Sequence, residues 1–178
     1  YPLRRQRQMC IRDSKFLVND LLMHIKPLAP VFLPINKYGS QAKESSLQIN
    51  NAYESDEQML IFPAGLCSRL QHGKIKDLEW KKTFIAKAVQ SQRDIIPIYF
   101  EGRNSTFFYR FAQIRKCIGL KFNIELIYLS DEMFNSKNKT FDIYIGKPIP
   151  WQTFDKSKSL QEWAQIVKEK VYQIKKNQ

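Results

Sequence analysis

From Lys15 to its end, the chain alternates short apolar runs with amphipathic stretches. Residues 15–19 (KFLVN) and 31–35, the latter bracketed by Pro30 and Pro34, have the length of buried strands, and residues 20–25 between them read as a short helical stretch. Residues 42–55 form a polar helical pattern, with Leu47, Ile49 and Ala52 as inward candidates. A third strand, 58–62, stops at Pro63-Ala64-Gly65. After a polar loop, Trp80, Phe84, Ile85 and Ala88 define the apolar face of a helix over 80–90. Residues 94–100 (DIIPIYF) predict a central strand whose Pro97 marks a bulge or a strand end. A helix over 105–117 and strands over 123–128 and 141–145 follow. The last element is an amphipathic helix over 160–175, with Trp163, Ile166, Val167, Val171 and Ile174 on one side.

Strands alternating with helices predict an α/β fold, a single domain with a mostly parallel central sheet flanked by helices. Ligands of such sheets gather beyond the carboxyl ends of the strands, which directs attention to residues 36–40, 63–69 and 101–104. The first fourteen residues, YPLRRQRQMCIRDS, do not share the pattern. They hold four arginines and no lysine, whereas the remainder is lysine-rich, and they show neither helical nor strand periodicity. The stretch resembles a translated sequencing-adapter remnant, with a flexible basic tail as the alternative. Residues 1–14 are therefore set apart as a non-native or disordered segment, and 15–178 are read as the folded domain.

Composition adds one strong constraint. The 178 residues carry 29 Lys+Arg against 17 Asp+Glu, a net charge of +12, which favours an anionic partner: nucleic acid, an acidic membrane surface or a phosphorylated substrate. No apolar run approaches the ~20 residues of a helical membrane span. The three cysteines, Cys10, Cys67 and Cys117, are widely spaced and form no metal-ligand pattern, so neither a disulfide framework nor a metal site is expected. No GxGxxG or GxxxxGK[ST] motif is present, so no nucleotide cofactor is implied.

Candidate chemistry concentrates in Ile61-Phe62-Pro63-Ala64-Gly65-Leu66-Cys67-Ser68-Arg69. A strand ends, proline and glycine turn the chain, and a hydroxyl and a guanidinium follow. Gly65 lets a backbone approach an anion, Ser68 can donate a hydrogen bond, and Arg69 offers a fork matched to phosphate or carboxylate. The same local pattern equally fits an ordinary turn with a solvated arginine.

FPAGLCSR resembles the FPEGTRS-type block of the glycerophosphate and lysophospholipid acyltransferases. In that family the block binds the phosphate or polar head of the acyl acceptor. Ala64 stands in place of the usual glutamate, Leu66-Cys67 replace Thr-Arg, and the arginine follows the serine. These departures point away from a plain glycerophosphate acceptor and towards the divergent bacterial, hemolysin-like branch that acylates amino-acid-containing lipids. Pro34-Ile35-Asn36-Lys37 is similar to the family's second motif, with Lys37 the acceptor-binding candidate; taken by itself it reads more readily as a surface lysine. Ile95-Ile96-Pro97-Ile98-Tyr99 resembles the fourth, with Phe62, Ile96 and Pro97 shaping a pocket. Gly146-Lys147-Pro148-Ile149 resembles the ending of the last family strand. The ordered set covers residues 15–151.

The resemblance implies transfer of a fatty acyl group from acyl carrier protein or CoA to a hydroxyl of a glycerophospholipid or amino-acid-lipid precursor, at the cytoplasmic face of a membrane and by a peripheral association. It also implies an H-x4-D motif ahead of the FPxG block, with histidine as general base and aspartate orienting it. The chain has two histidines. His24 has Ala29 five positions on. His72 and Asp77 fit the spacing but follow the block in a lysine-rich loop, and read as a decoy. The chain is accordingly expected to be an N-terminally truncated, inactive fragment. Its surface candidates for lipid are the 107–116 segment (Phe107, Phe108, Tyr109, Arg110, Phe111, Arg115, Lys116) and the final helix with Lys168, Lys170, Lys175 and Lys176. For the first of these, a core helix is the competing reading. The alternatives in function are a non-catalytic lipid-binding domain and a basic nucleic-acid-binding module; the dispersed lysines and the lack of an RNA-binding motif argue against the second.

Overall fold

The computed structural model describes residues 14–18, 22–23, 26–35, 41–71, 73–119 and 128–175. The chain divides into two compact units, Tyr1–Pro63 and Ala64–Gln178.

In the first unit, β1 (Ser14–Val18) is the middle strand of a parallel sheet of order β2-β1-β3, with β2 at Phe32–Pro34 and β3 at Gln58–Leu60. Phe16 pairs with Phe32 and with Leu60 in register, and the Phe16 and Phe32 rings meet edge to face. Parallel neighbours need a crossover. A 3-10 segment, Lys26–Val31, leads into β2, and α1 (Gln41–Glu54) joins β2 to β3. Val18, Val31, Leu33, Ala52 and Tyr53 form the buried centre. Ala52 faces inward as its spacing predicts, whereas Leu47 is 61% exposed on the opposite side of α1. The third strand is shorter than its apolar run suggests and ends at Leu60, two residues before Phe62.

The second unit opens with an antiparallel hairpin, β4 (Arg69–Gln71) and β5 (Lys74–Lys76), which the apolar pattern does not announce because only Leu70 and Ile75 are apolar. Helix α2 (Thr83–Gln90) starts three residues later than predicted. Trp80 lies before it, buried, with its ring edge-on to Phe84. The anticipated central strand over 94–100 is divided at Pro97. Ile95 makes a single antiparallel bridge to Ile149, and β6 proper is Ile98–Glu101. Pro97 has no N–H to give, and its carbonyl instead accepts from the Gly146 N–H at 2.8 Å. β6 pairs antiparallel with β7 (Asp142–Ile145), so among the described residues it belongs to a two-stranded ribbon. Helices α3 (Thr106–Cys117) and α4 (Leu129–Asn135) lie between them in sequence. The strand expected over 123–128 falls largely outside the described residues.

α5 (Leu160–Ile174) closes the unit. Ser159 caps it, accepting from the Glu162 N–H while the Glu162 carboxylate accepts from the Ser159 N–H, a complete capping box. Its Ala164, Val167 and Val171 are buried, as are Phe84, Ile85 and Ala88 of α2, against which it packs. The α/β class with a parallel sheet is as the sequence predicts, and the later strands add antiparallel pairs. Phe108 and Tyr109 of α3 are buried, so that helix packs its aromatics inward and leaves only Phe107 largely exposed.

Candidate acceptor site

The turn of the FPAGLCSR block has the backbone its glycine anticipates. Gly65 sits at φ +69°, in the left-handed region. The space a Cβ would fill there is met by the Lys81 ammonium, 3.1 Å from that position. Lys81 is exposed and immediately precedes the first turn of α2. A positive charge therefore stands directly over the turn, on a residue the motif does not contain. Its only sequence signal is the Lys81-Lys82 pair at a helix start, which is indistinguishable from a solvated face.

Ser68 and Arg69 have partners within the protein. The Ser68 hydroxyl donates to Asp77 Oδ1 at 2.5 Å. Trp80 Nε1 donates to Asp77 Oδ2 at 3.3 Å, and the Tyr172 phenol lies near enough to feel the charge of this carboxylate. Burial, then the negative charge of Asp77, holds the Tyr172 phenol well above the usual tyrosine range. The segment after Asp77 is fixed from α5. Lys168 Nζ donates to the Asp77 and Leu78 carbonyls at 3.2 and 3.0 Å. Gln161 Nε2 donates to the Trp80 carbonyl at 2.8 Å and to Glu79 Oε1 at 2.7 Å. Asp77 thus ties the turn, the approach to α2 and helix α5 together. Sequence reasoning weighed it only as a histidine's partner.

Arg69, on β4, is half-buried. Its Nη1 donates to the Cys67 carbonyl at 3.2 Å and lies 3.4 Å from that of Ser68, and its guanidinium lies over the Phe108 ring, 5.8 Å from the centroid. Close by, the Asn104 N–H donates to the Tyr109 hydroxyl at 3.3 Å. Burial raises the Tyr109 pKa, the Cys67 sulfur adding to the effect and Arg103 opposing it.

The remaining candidates distribute as follows. Phe62 is 62% exposed and, with Pro63, ends the first unit. Ile96 is exposed, whereas Pro97 is buried and lines a shallow cavity of about 300 Å³ with Gly146, Lys147, Ile149, Lys170 and Ile174. Those neighbours differ from the ones around Gly65, Ser68 and Arg69. The link runs through α5: Tyr99 of β6 meets the ring of Tyr172, and Lys168 of the same helix donates to the Asp77 carbonyl. Lys37 and His72 lie outside the described residues. Among the described residues no cluster of His, Cys, Asp and Glu could hold a metal ion, and no helix is long and apolar enough to cross a membrane.

The Gly65 turn of this α/β protein thus lies under a cation and is tied through Ser68 to the Asp77 carboxylate. The sequence profile of the acyltransferase family matches residues 7–178, and the chain belongs to that family. It is similar to the lyso-glycine lipid O-acyltransferase of Bacteroides thetaiotaomicron, with 57% identity over 160 residues, or 90% of this chain and 59% of that protein. It is also similar to the lyso-glycine lipid O-acyltransferase of Phocaeicola vulgatus, at 55% identity over 162 residues, covering 91% and 58% respectively. The chain therefore spans less than two thirds of the length of these relatives. No solved structure matches it.

Proposed function

We propose that this chain forms the acceptor-binding part of an O-acyltransferase that moves a fatty acyl group from a thioester to the hydroxyl of a lyso-glycine lipid. The observation that carries this reading is the 57% identity, over 90% of the chain, to a protein named for that reaction. The site chemistry supports it. Glycine joined through its nitrogen keeps a carboxylate, a smaller and singly charged head compared with phosphate. The Gly65 turn offers backbone and the Lys81 ammonium as a point charge, while the Arg69 fork is directed to its own backbone and to Phe108. A phosphate-reading site uses such a fork outward.

In the reaction, the acceptor oxygen attacks the thioester carbonyl carbon, the C–S bond breaks, and the hydroxyl proton passes by way of a general base to the departing thiolate. Acyl carrier protein and acyl-CoA are both anionic donors suited to a chain of charge +12. The reaction belongs at the cytoplasmic face of a membrane, where the acceptor resides. His72 is not assigned as the base, because the Asp77 carboxylate that would orient it is already engaged by Ser68 and Trp80. The 178 residues should bind acceptor without turning it over.

Equilibrium binding and mass-spectrometric turnover assays test both statements, with lyso-glycine lipid and lysophosphatidate as competing acceptors and each thioester as donor. Saturable, preferential binding of the lyso-glycine lipid is the expected result. Equal or tighter binding of lysophosphatidate would move the acceptor to the glycerophosphate class. Turnover that disappears in His72→Ala would return the base to this chain.

A further inference from the structure

The β6–β7 ribbon is oriented against the usual rule for a half-covered sheet. Its register pairs Ile98 with Ile145 and Phe100 with Ile143 on one face, and Tyr99 with Tyr144 and Glu101 with Asp142 on the other. The polar face is the one turned to α5. Tyr99 meets the Tyr144 and Tyr172 rings, and Glu101 accepts from Tyr144 and is ion-paired with Lys175. Among the described residues the apolar face is largely uncovered: Ile98 is 40% exposed, Phe100 54%, Ile143 62% and Ile145 64%. Phe141 extends it, its ring 5.3 Å from that of Phe100, and Ile96 is exposed just ahead of β6. Scattered exposed apolar residues need no explanation, but a contiguous, charge-free face on a ribbon does.

The surroundings of this face are basic. Exposed Arg103 follows β6, exposed Lys139 precedes β7, and exposed Lys147 follows it. The ribbon's two carboxylates, Glu101 and Asp142, belong to the opposite face. A second copy of this chain would bring like-charged rims together on molecules that each carry +12. A leaflet containing anionic lipid presents opposite charge at the rim and hydrocarbon at the centre.

We propose that the exposed face of the β6–β7 ribbon is a membrane-docking surface. Isoleucine and phenylalanine side chains enter the headgroup–acyl boundary, and Arg103, Lys139 and Lys147 meet anionic headgroups. This assigns the lipid contact to a strand ribbon instead of the final helix, whose Lys168 and Lys175 are used within the protein. It rests on the lipid-acceptor reading for why a membrane should be met at all, and its test needs no turnover.

The test is co-sedimentation of the full chain with vesicles of phosphatidylcholine alone and of phosphatidylcholine mixed with phosphatidylglycerol. The parent should bind the mixed vesicles more strongly. An Ile143→Ser/Ile145→Ser double variant should lose about tenfold in partition constant or more, and Phe100→Ser should weaken binding independently. Leu47→Ser, equally exposed but on α1, should bind like the parent. Lys139→Glu/Lys147→Glu should remove the preference for anionic lipid. Circular dichroism confirms that each variant is folded. A parent that ignores anionic vesicles, or face variants that bind as well as the parent, would overturn the proposal. If the parent sediments as a dimer that Ile143→Ser/Ile145→Ser dissociates, with vesicle binding unchanged, the face joins two copies instead. Acceptor binding without vesicle binding defeats this proposal alone, and vesicle binding through this face without acceptor binding defeats the acyltransferase reading alone.

Discussion

Asp77 concentrates more of the second unit's polar contacts than any residue of the FPAGLCSR block itself. Replacing it by alanine strands the Ser68 hydroxyl and the Trp80 indole N–H at once, at a cost of about 2–3 kcal/mol. Urea denaturation should show this loss, with Asp77→Asn falling between parent and alanine because one carbonyl oxygen remains to accept. Gly65→Ala should cost about 1–2 kcal/mol from its left-handed backbone. Lys81→Ala should not restore that loss, since the ammonium tip can move aside and the backbone strain cannot. Lys81 and Arg69 should separate cleanly. Lys81→Ala is expected to weaken binding of the carboxylate head with Tm unchanged, because the side chain is exposed. Arg69→Ala is expected to lower Tm, because it removes the contact with Phe108 and the bond to the Cys67 carbonyl. Thermal melts and acceptor titrations on both variants distinguish the two roles.

At the scale of elements, α5 is the part on which the site leans. Its apolar face packs on α2, and Gln161 and Lys168 reach back to hold residues 77–80. Removing its N-cap with Ser159→Ala should cost about 1 kcal/mol and loosen the turn at a distance, visible as faster amide exchange around Asp77. The cap also carries a pH signature. Hydrogen bonds from Ser159 hold the Glu162 carboxyl below its ordinary value, and those from Ser157 do the same for Asp155. Groups with lowered pKa stabilise the fold above the unfolded value, near pH 4, and lose that contribution as pH falls through the folded value. Acid titration of the melting temperature should therefore fall off below about pH 4, and Glu162→Gln should flatten part of that limb. The opposite sign, with stability rising on acidification, would refute the capping role. The β4–β5 hairpin shows the limit of pattern reading: with one apolar residue in each strand, it is held by cross-strand bonds and by packing of β4 on α3 rather than by an apolar stripe of its own.

At the scale of the whole molecule, the two units carry different kinds of information. Regular spacing of apolar residues in 15–19, 31–35 and 42–55 was enough to expect a strand, a second strand and a helix, because backbone hydrogen bonding and side-chain period are local properties. The same holds for α5, whose apolar stripe and Ser159-x-x-Glu162 signature are both written in consecutive residues. The acyltransferase family was legible because FPAGLCSR and the blocks around it resemble that family's motifs in order, and the left-handed turn because glycine marks such backbone. The partners of those residues were not legible. That Ser68 bonds Asp77, that Arg69 turns to Phe108, and that Lys81 stands over Gly65 depend on side chains brought from 9, 39 and 16 positions away. Nothing local distinguishes such a lysine from one in water. The orientation of the β6–β7 ribbon is of the same kind. IIPIYF is apolar on both faces in sequence, and only the packing of Tyr99 on Tyr172 decides which face is covered and which, among the described residues, is left largely uncovered. Local pattern determined most of the elements and the backbone of one turn; packing across long sequence separations decided which groups are engaged within the protein and which are left exposed.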